Sequence, residues 1–173
     1  VPGDQPVAWR GPVLHRVLQQ FLAEVHWGDL DVLILDLPPG TGDIPLSVAQ
    51  LLPATEVLLV TTPQAAAAEV AGRAGAMAAK TKQHLVGVVE NMSYLIQADG
   101  SRLALFGEGG GAAVAASLSA TLETTVPLLG QVPLDPALRQ GGDDGTPVVL
   151  ADPQSPAGQA LLAIARRLAE HWS

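Results

Sequence analysis

The sequence predicts an α/β domain, a mainly parallel sheet with helices on both faces, and three observations carry that expectation. Four short apolar runs, at 31–36, 56–62, 84–90 and 127–132, have the length and aliphatic content of strands buried on both sides. Helical patterns separate them, and strands alternating with helices imply parallel pairing, because the chain must cross back over the sheet between strands. No long-period repeat and no linker divides the chain, so a single domain spanning 1–173 accounts for it.

Each element has its own local reason. Leu14, Val17, Leu18, Phe21, Leu22 and Val25 recur at three- and four-residue steps, which predicts an amphipathic helix over 12–27 with Pro12 near its first position and Gly28 past its end. DVLILD at 31–36, flanked by acids and followed by Pro38, Pro39 and Gly40, predicts a buried strand entering a loop. Residues 44–52 read as a short helix stopped by Pro53, and EVLLVTT at 56–62 as the second strand. An alanine-rich helix over 65–82, weakened by Gly72 and Gly75, leads to HLVGVVE at 84–90. The runs 94–97 and 102–106 flank Asp99-Gly100, a hairpin signal. Glycines at 107–111 enter a helix over 112–122, PLLGQV at 127–132 is the fourth strand, and 140–146 is a polar, glycine-rich loop. Ser155-Pro156 opens a last helix carrying Leu161, Leu162, Ala165 and Leu168.

Composition removes several classes of function. A chain of 173 residues with 48% apolar letters can bury a real core. It has no apolar stretch of the length a bilayer crossing needs and no basic-then-apolar leader, so a membrane span and a secretory signal are not expected. The net charge of −8 repels a phosphate backbone, which argues against nucleic acid as a partner. The absence of cysteine removes disulfides, thiolate nucleophiles and sulfur-ligated metals held by this chain alone. His15, His26, His84 and His171 are too widely spread along the sequence to predict a metal site, and no Ser stands in a Gly-x-Ser-x-Gly context. The sequence starts at Val1 rather than Met, which reads as a fragment or a processed form.

The densest chemical signal is DVLILDLPPGTGD at 31–43. Asp36, at the carboxyl end of an expected parallel strand, stands where open α/β sheets bind ligands, and a carboxylate there suits the water shell of Mg²⁺. Gly40, four residues on, lets backbone N–H groups approach a phosphate while Pro38 and Pro39 restrict the loop. The alternative is that Asp36 caps a turn and Pro-Pro-Gly ends the strand. Gly107, Gly109 and Ala112 fit Gly-x-Gly-x-x-Ala, but the acid expected about 20 residues later in a dinucleotide site is missing, so a flexible helix entry is the better reading.

Taken in order, Trp9-Arg10-Gly11-Pro12, WGDLD at 27–31, DLPPGTGD at 36–43, TTPQ at 61–64, VENMS at 89–93, FGEGGG at 106–111 and VPLDP at 132–136 resemble the C-terminal two thirds of the Mrp/ApbC-type iron-sulfur cluster carriers, a branch of the MinD/ParA-like P-loop ATPases. The resemblance covers nearly the whole chain. It implies a P-loop NTPase fold lacking its N-terminal strand and phosphate loop. It also implies that Asp36 orders Mg²⁺ through water, that Gly40 donates near the γ-phosphate, and that Thr41 and Asp43 position water or a partner subunit. Asn91 matches the residue that reads adenine, an amide presenting donor and acceptor together, and Pro133, Leu134 and Asp135 match the segment beside the base. For Asn91 a turn role, and for Pro133 a strand stop, are the plain alternatives; Trp9 and Arg10 read either as dimer surface or as anchors of the first helix.

Two departures from the family pattern are equally legible. The lysines are Lys80 and Lys82, and Gly-Lys never occurs, so no Walker A phosphate loop is present and the matching half is expected upstream. Where the family commonly places Cys-x-x-Cys, two subunits together holding one [4Fe-4S] cluster, this chain reads YLIQADGSR at 94–102. Asp99 and Ser101 offer oxygen, a poor substitute for soft sulfur donors. The resemblance implies an ATP-binding and ATP-hydrolysing cytoplasmic homodimer that transfers clusters to apoproteins. A MinD/ParA-like nucleotide switch without cluster chemistry, or a non-catalytic remnant domain, are the competing expectations.

Overall fold

A computed structural model describes residues 11–172. Trp9 and Arg10 lie outside the described residues. The chain runs through helices α1 (Gly11–Glu24) and α2 (Asp43–Leu51), strand β1 (Glu56–Thr61), α3 (Ala65–Lys80), β2 (His84–Glu90), a hairpin of β3 (Leu95–Ile96) and β4 (Arg102–Leu103), α4 (Gly110–Leu122), β5 (Leu128–Gln131), α5 (Pro136–Asp143), α6 (Val148–Ala151) and α7 (Pro156–Trp172). β1, β2 and β5 form a parallel sheet with β2 at its centre, and β3 pairs antiparallel with β4.

Alternation along β2 divides the core. Val88, fully buried, faces a cluster of Leu59, Leu85, Val114, Ala115 and Leu118 with Ala71 and Ala78, so α3 and α4 cover that side. Val89 faces the other way, with Leu129, Val132, Ala157 and Ile164 beneath α7. Helices thus lie on both faces, as expected. The sheet admits a close approach at Gly87, where a Cβ would stand 2.6 Å from Leu129 Cγ and 2.8 Å from the Pro127 carbonyl. The register of β1 against β2 shifts beside this residue, between Val57 and Leu58.

Three expectations need correction. Residues 31–36 form no strand: 32–38 carry no regular secondary structure and no ladder partner, and Val32, Leu33 and Ile34 are exposed, Ile34 at 84%. A parallel strand exists only through hydrogen bonds to neighbours, and no described strand pairs with this run; β1, at the edge of the sheet, leaves Leu58 and Val60 exposed. The four-stranded sheet is therefore three-stranded among the described residues. The loop at 140–146 begins as helix, because Asp135 caps α5 by accepting from the Ala137 N–H at 2.8 Å with Pro136 at the first turn, and the helix runs to Asp143. The first helix ends at Glu24, before Val25–Trp27. No helix among the described residues is long and apolar enough to cross a membrane.

Candidate functional site

The carboxyl ends of three parallel strands converge, as the topology of an open α/β sheet requires of its ligand site. The Asn91 N–H donates to the Thr61 carbonyl at 2.8 Å, joining the ends of β1 and β2. The chain leaving β5 then runs beside the chain leaving β2. Val132 N–H donates to Glu90 at 2.8 Å, Ser93 N–H to Val132 at 3.0 Å and Leu134 N–H to Tyr94 at 2.7 Å, all through carbonyls. Asn91 and the segment Pro133-Leu134-Asp135, distant in sequence, are in this way held side by side.

Within that cluster the residues divide. Asn91 Oδ1 accepts from the Met92 N–H at 2.9 Å, and Met92 takes a φ of +53°, a tight turn that fixes the amide. Pro133 is fully buried, whereas Leu134 and Asp135 are half-buried at the surface. Leu134 and Asp135, with Leu95, Ile96, Pro136 and Pro156, line a shallow depression of about 160 Å³. Asp135 is engaged as the α5 cap.

Sequence reading missed Glu90. It closes β2, is completely buried, and its carboxylate accepts from the Gly111 N–H at 2.6 Å and from Gln131 Nε2 at 2.7 Å. The Ser93 hydroxyl donates to the Glu90 carbonyl at 2.8 Å. A carboxylate at the first turn of α4 meets free N–H groups and the positive end of the helix dipole, which offset its desolvation. Only glycine fits at 111, because a Cβ there would stand 2.8 Å from Glu90 Cβ. Glu90 thus ties β2, β5 and α4 together directly under Asn91. The signal was an acid ending an apolar strand together with a glycine run at 107–111; neither half means much without the contact.

The 36–43 loop stands apart. Asp36 is exposed at the end of the unpaired run, Gly40 has φ +90°, and Thr41 is exposed. Asp43 opens α2 beside α1, with Gly11, Pro12, His15, Leu46, Ser47 and Gln50 around a wide cleft of about 380 Å³. No hydrogen bond or ion pair among the described residues joins this loop to the cluster of Asn91 and Asp135, and the cleft at Asp43 shares no lining residue with the depression at Asp135. Leu95, Ile96, Pro133 and Leu134 form an apolar shelf beside Asn91, whose amide oxygen already accepts from Met92. The lysines, Lys80 at the end of α3 and Lys82 just beyond it, precede β2 and stand by the amino ends of the strands.

The hairpin closes on a hydrogen-bonded turn. Ser101 donates to Asp99 Oδ1 from its N–H at 2.9 Å and its hydroxyl at 2.6 Å, and Gln97 Nε2 donates to Ser101 Oγ at 2.8 Å. The Ser101 donors hold the Asp99 carboxyl below its usual value. Arg102 lies 4.1 Å over the Tyr94 ring. At the opposite end of the sheet the structure overturns a further expectation: His84 and His171 are neighbours, their rings stacked 5.3 Å apart. The sequence separation that argued against a histidine cluster is closed by α7 packing back along the sheet.

Residues 1–169 match a family model described as ParA, NUBPL iron-transfer P-loop NTPase. An iron-sulfur cluster carrier protein of Mycobacterium leprae is 66% identical over 163 residues, which cover 94% of this chain and 43% of that protein. The chain therefore spans less than half the length of such relatives. Among solved structures, a nucleotide-binding protein from Archaeoglobus fulgidus in complex with ADP is similar at a TM-score of 0.63 and 38% identity, over 76% of this chain and 52% of that one. The septum site-determining protein MinD of Pyrococcus horikoshii, complexed with Mg-ADP, shares the fold at a TM-score of 0.63 and 21% identity, over 97% and 63%. The unpaired 31–36 run, the buried Glu90 and the Asn91 cluster are thus features of a chain that belongs to the NUBPL iron-transfer family of ParA-type P-loop NTPases.

Proposed function

We propose that this chain forms the base-binding and switch side of an ATP-binding, ATP-hydrolysing carrier that passes iron-sulfur clusters to apoproteins, acting as a cytoplasmic homodimer. The observation that carries the reading is the union of Asn91 with Leu134 and Asp135 over Glu90 at the carboxyl ends of β2 and β5. In it, Asn91 reads the base edge, Pro133 fixes the shelf from below, and Leu134 and Asp135 flank the ring. A triphosphate needs a cationic cradle that these residues do not supply, so the phosphate loop is assigned to a segment pairing between 31–36 and β1. That pairing would bury Ile34 and Val60 and bring Asp36, Gly40, Thr41 and Asp43 to the phosphates, with Asp36 holding Mg²⁺ through water.

The cluster is cargo, and its sulfur ligands are not in this chain. The Asp99–Ser101 turn at the hairpin favours one second reading, a nucleotide-driven switch of the MinD/ParA kind without cluster chemistry. Two experiments on the full-length protein separate these. Asp36→Ala is expected to abolish Mg-dependent ATP turnover, and unchanged turnover removes Asp36 from the site. Anaerobic reconstitution with iron and sulfide is expected to load a cluster; failure in a dimer that still hydrolyses ATP selects the switch.

A further inference from the structure

The amino ends of the strands carry a group of side chains that the nucleotide reading does not use. Glu56 and His84 are register partners at the first positions of β1 and β2, and the last turn of α7 brings His171 and Trp172 over them. His84 Nδ1 and His171 Nε2 each lie 3.0 Å from the same oxygen, Glu56 Oε1. The two imidazoles are stacked within 12° of parallel, and all three donor atoms lie within 4.8 Å of one another. Trp172 Nε1 donates to the other carboxylate oxygen, Oε2, which leaves Oε1 turned toward the histidines.

We propose that Glu56, His84 and His171 form a binding site for a divalent first-row transition ion of the zinc class. Two imidazoles and one carboxylate with open remaining positions are a recognised donor set for such an ion, which imidazole nitrogen suits better than it suits Mg²⁺ or Ca²⁺. Bonds of about 2.0–2.2 Å in a tetrahedral arrangement place donors roughly 3.3 Å apart. The Glu56–histidine contacts need only open by a few tenths of an ångström, and the exposed rings, at 59% and 40%, can turn to close the remaining span. In the ion-bound form His84 would carry its ring proton on Nε2 and His171 on Nδ1, leaving His84 Nδ1 and His171 Nε2 as the donor atoms. The site then carries one carboxylate charge against two on the ion, in a chain whose net charge of −8 favours cations. Trp172 is the orienting partner that such sites place behind a ligand. The bound ion would staple the end of α7 to β1 and β2, remote from the nucleotide end, so its occupancy is independent of nucleotide.

The test uses tag-free, thiol-blocked, chelator-stripped full-length protein titrated with Zn²⁺ by calorimetry and with Co²⁺ by visible absorption. One ion per chain and a tetrahedral Co²⁺ spectrum are expected. A hundredfold excess of Zn²⁺ over its dissociation constant should raise Tm by roughly 3 °C. Trp172→Phe should weaken binding about tenfold, and His84→Gln with His171→Gln should abolish the spectrum while His15→Gln with His26→Gln leaves it intact. Circular dichroism of the double variants checks that the surface substitutions leave the fold unchanged. Absence of the spectrum in the wild type, or its persistence in His84→Gln/His171→Gln, overturns the site.

Discussion

Two runs with four aliphatic residues each meet opposite fates in this molecule. HLVGVVE at 84–90 is the central strand, with Val88 completely buried, whereas DVLILD at 31–36 is unpaired, with Ile34 84% exposed. Apolar content therefore does not make a strand. β2 has β1 on one edge, β5 on the other and helices on both faces, so its ladders have partners on both sides and every residue from Leu85 to Glu90 is buried. The run at 31–36 has none of these among the described residues, and Val32, Leu33 and Ile34 stay exposed, as do Leu58 and Val60 on β1.

The sharpest way to break that comparison is to place the same charge in both runs. Val88→Asp is expected to cost more than about 4 kcal/mol and abolish the cooperative transition, while Ile34→Asp in this chain should stay within about 0.5 kcal/mol of the parent in urea unfolding. Equal losses would mean that 31–36 is buried in solution. In the full-length protein the proposed pairing makes Ile34→Asp destabilising as well, and a neutral result there would refute the pairing.

Next in size, Glu90→Ala strands the Gly111 N–H and the Gln131 amide, for an expected loss of about 2–4 kcal/mol; Glu90→Gln keeps an acceptor and should lose less. No loss in Glu90→Ala would make the buried carboxylate incidental to β2. Gly111→Ala drives a methyl against Glu90 and should cost about 1–3 kcal/mol by thermal unfolding.

The smallest effect belongs to Glu56. Hydrogen bonds from His171, then Trp172 and His84, hold its carboxyl below the usual range. A carboxyl lowered on folding adds stability that is full above its unfolded pKa, about 4.3, and is lost as pH falls through the lower folded value. In metal-free protein the stability gap between wild type and Glu56→Gln should therefore be present at neutral pH and shrink on acidification through that window. A gap independent of pH would show that the carboxylate charge contributes nothing there.

Much of the fold was legible because the signals are local. The strand at 84–90, the helix over 65–80 and the Asp99-Gly100 hairpin follow from apolar periodicity and turn chemistry that short stretches of chain carry by themselves. The α5 start at Asp135-Pro136 was equally local and was missed only because the glycines at 141, 142 and 145 read as loop. Asn91 and the 133–135 segment were named from motif resemblance. Their adjacency was not readable, because it rests on three backbone hydrogen bonds, Val132 to Glu90, Ser93 to Val132 and Leu134 to Tyr94, between chain segments some forty residues apart, each indistinguishable in sequence from any other amide.

By itself, the sequence determined the helix and strand periods, the lack of sulfur and of a phosphate-loop lysine, and the motif order that marks the family. Tertiary structure alone decided which apolar run becomes a strand, which donors meet the buried Glu90, and that His84 meets His171 over Glu56. The division has one physical cause. Periodicity and composition are properties of neighbours along the chain, whereas ladder hydrogen bonds, charge burial and ligand clusters require partners that only the packing of distant segments brings within a few ångströms.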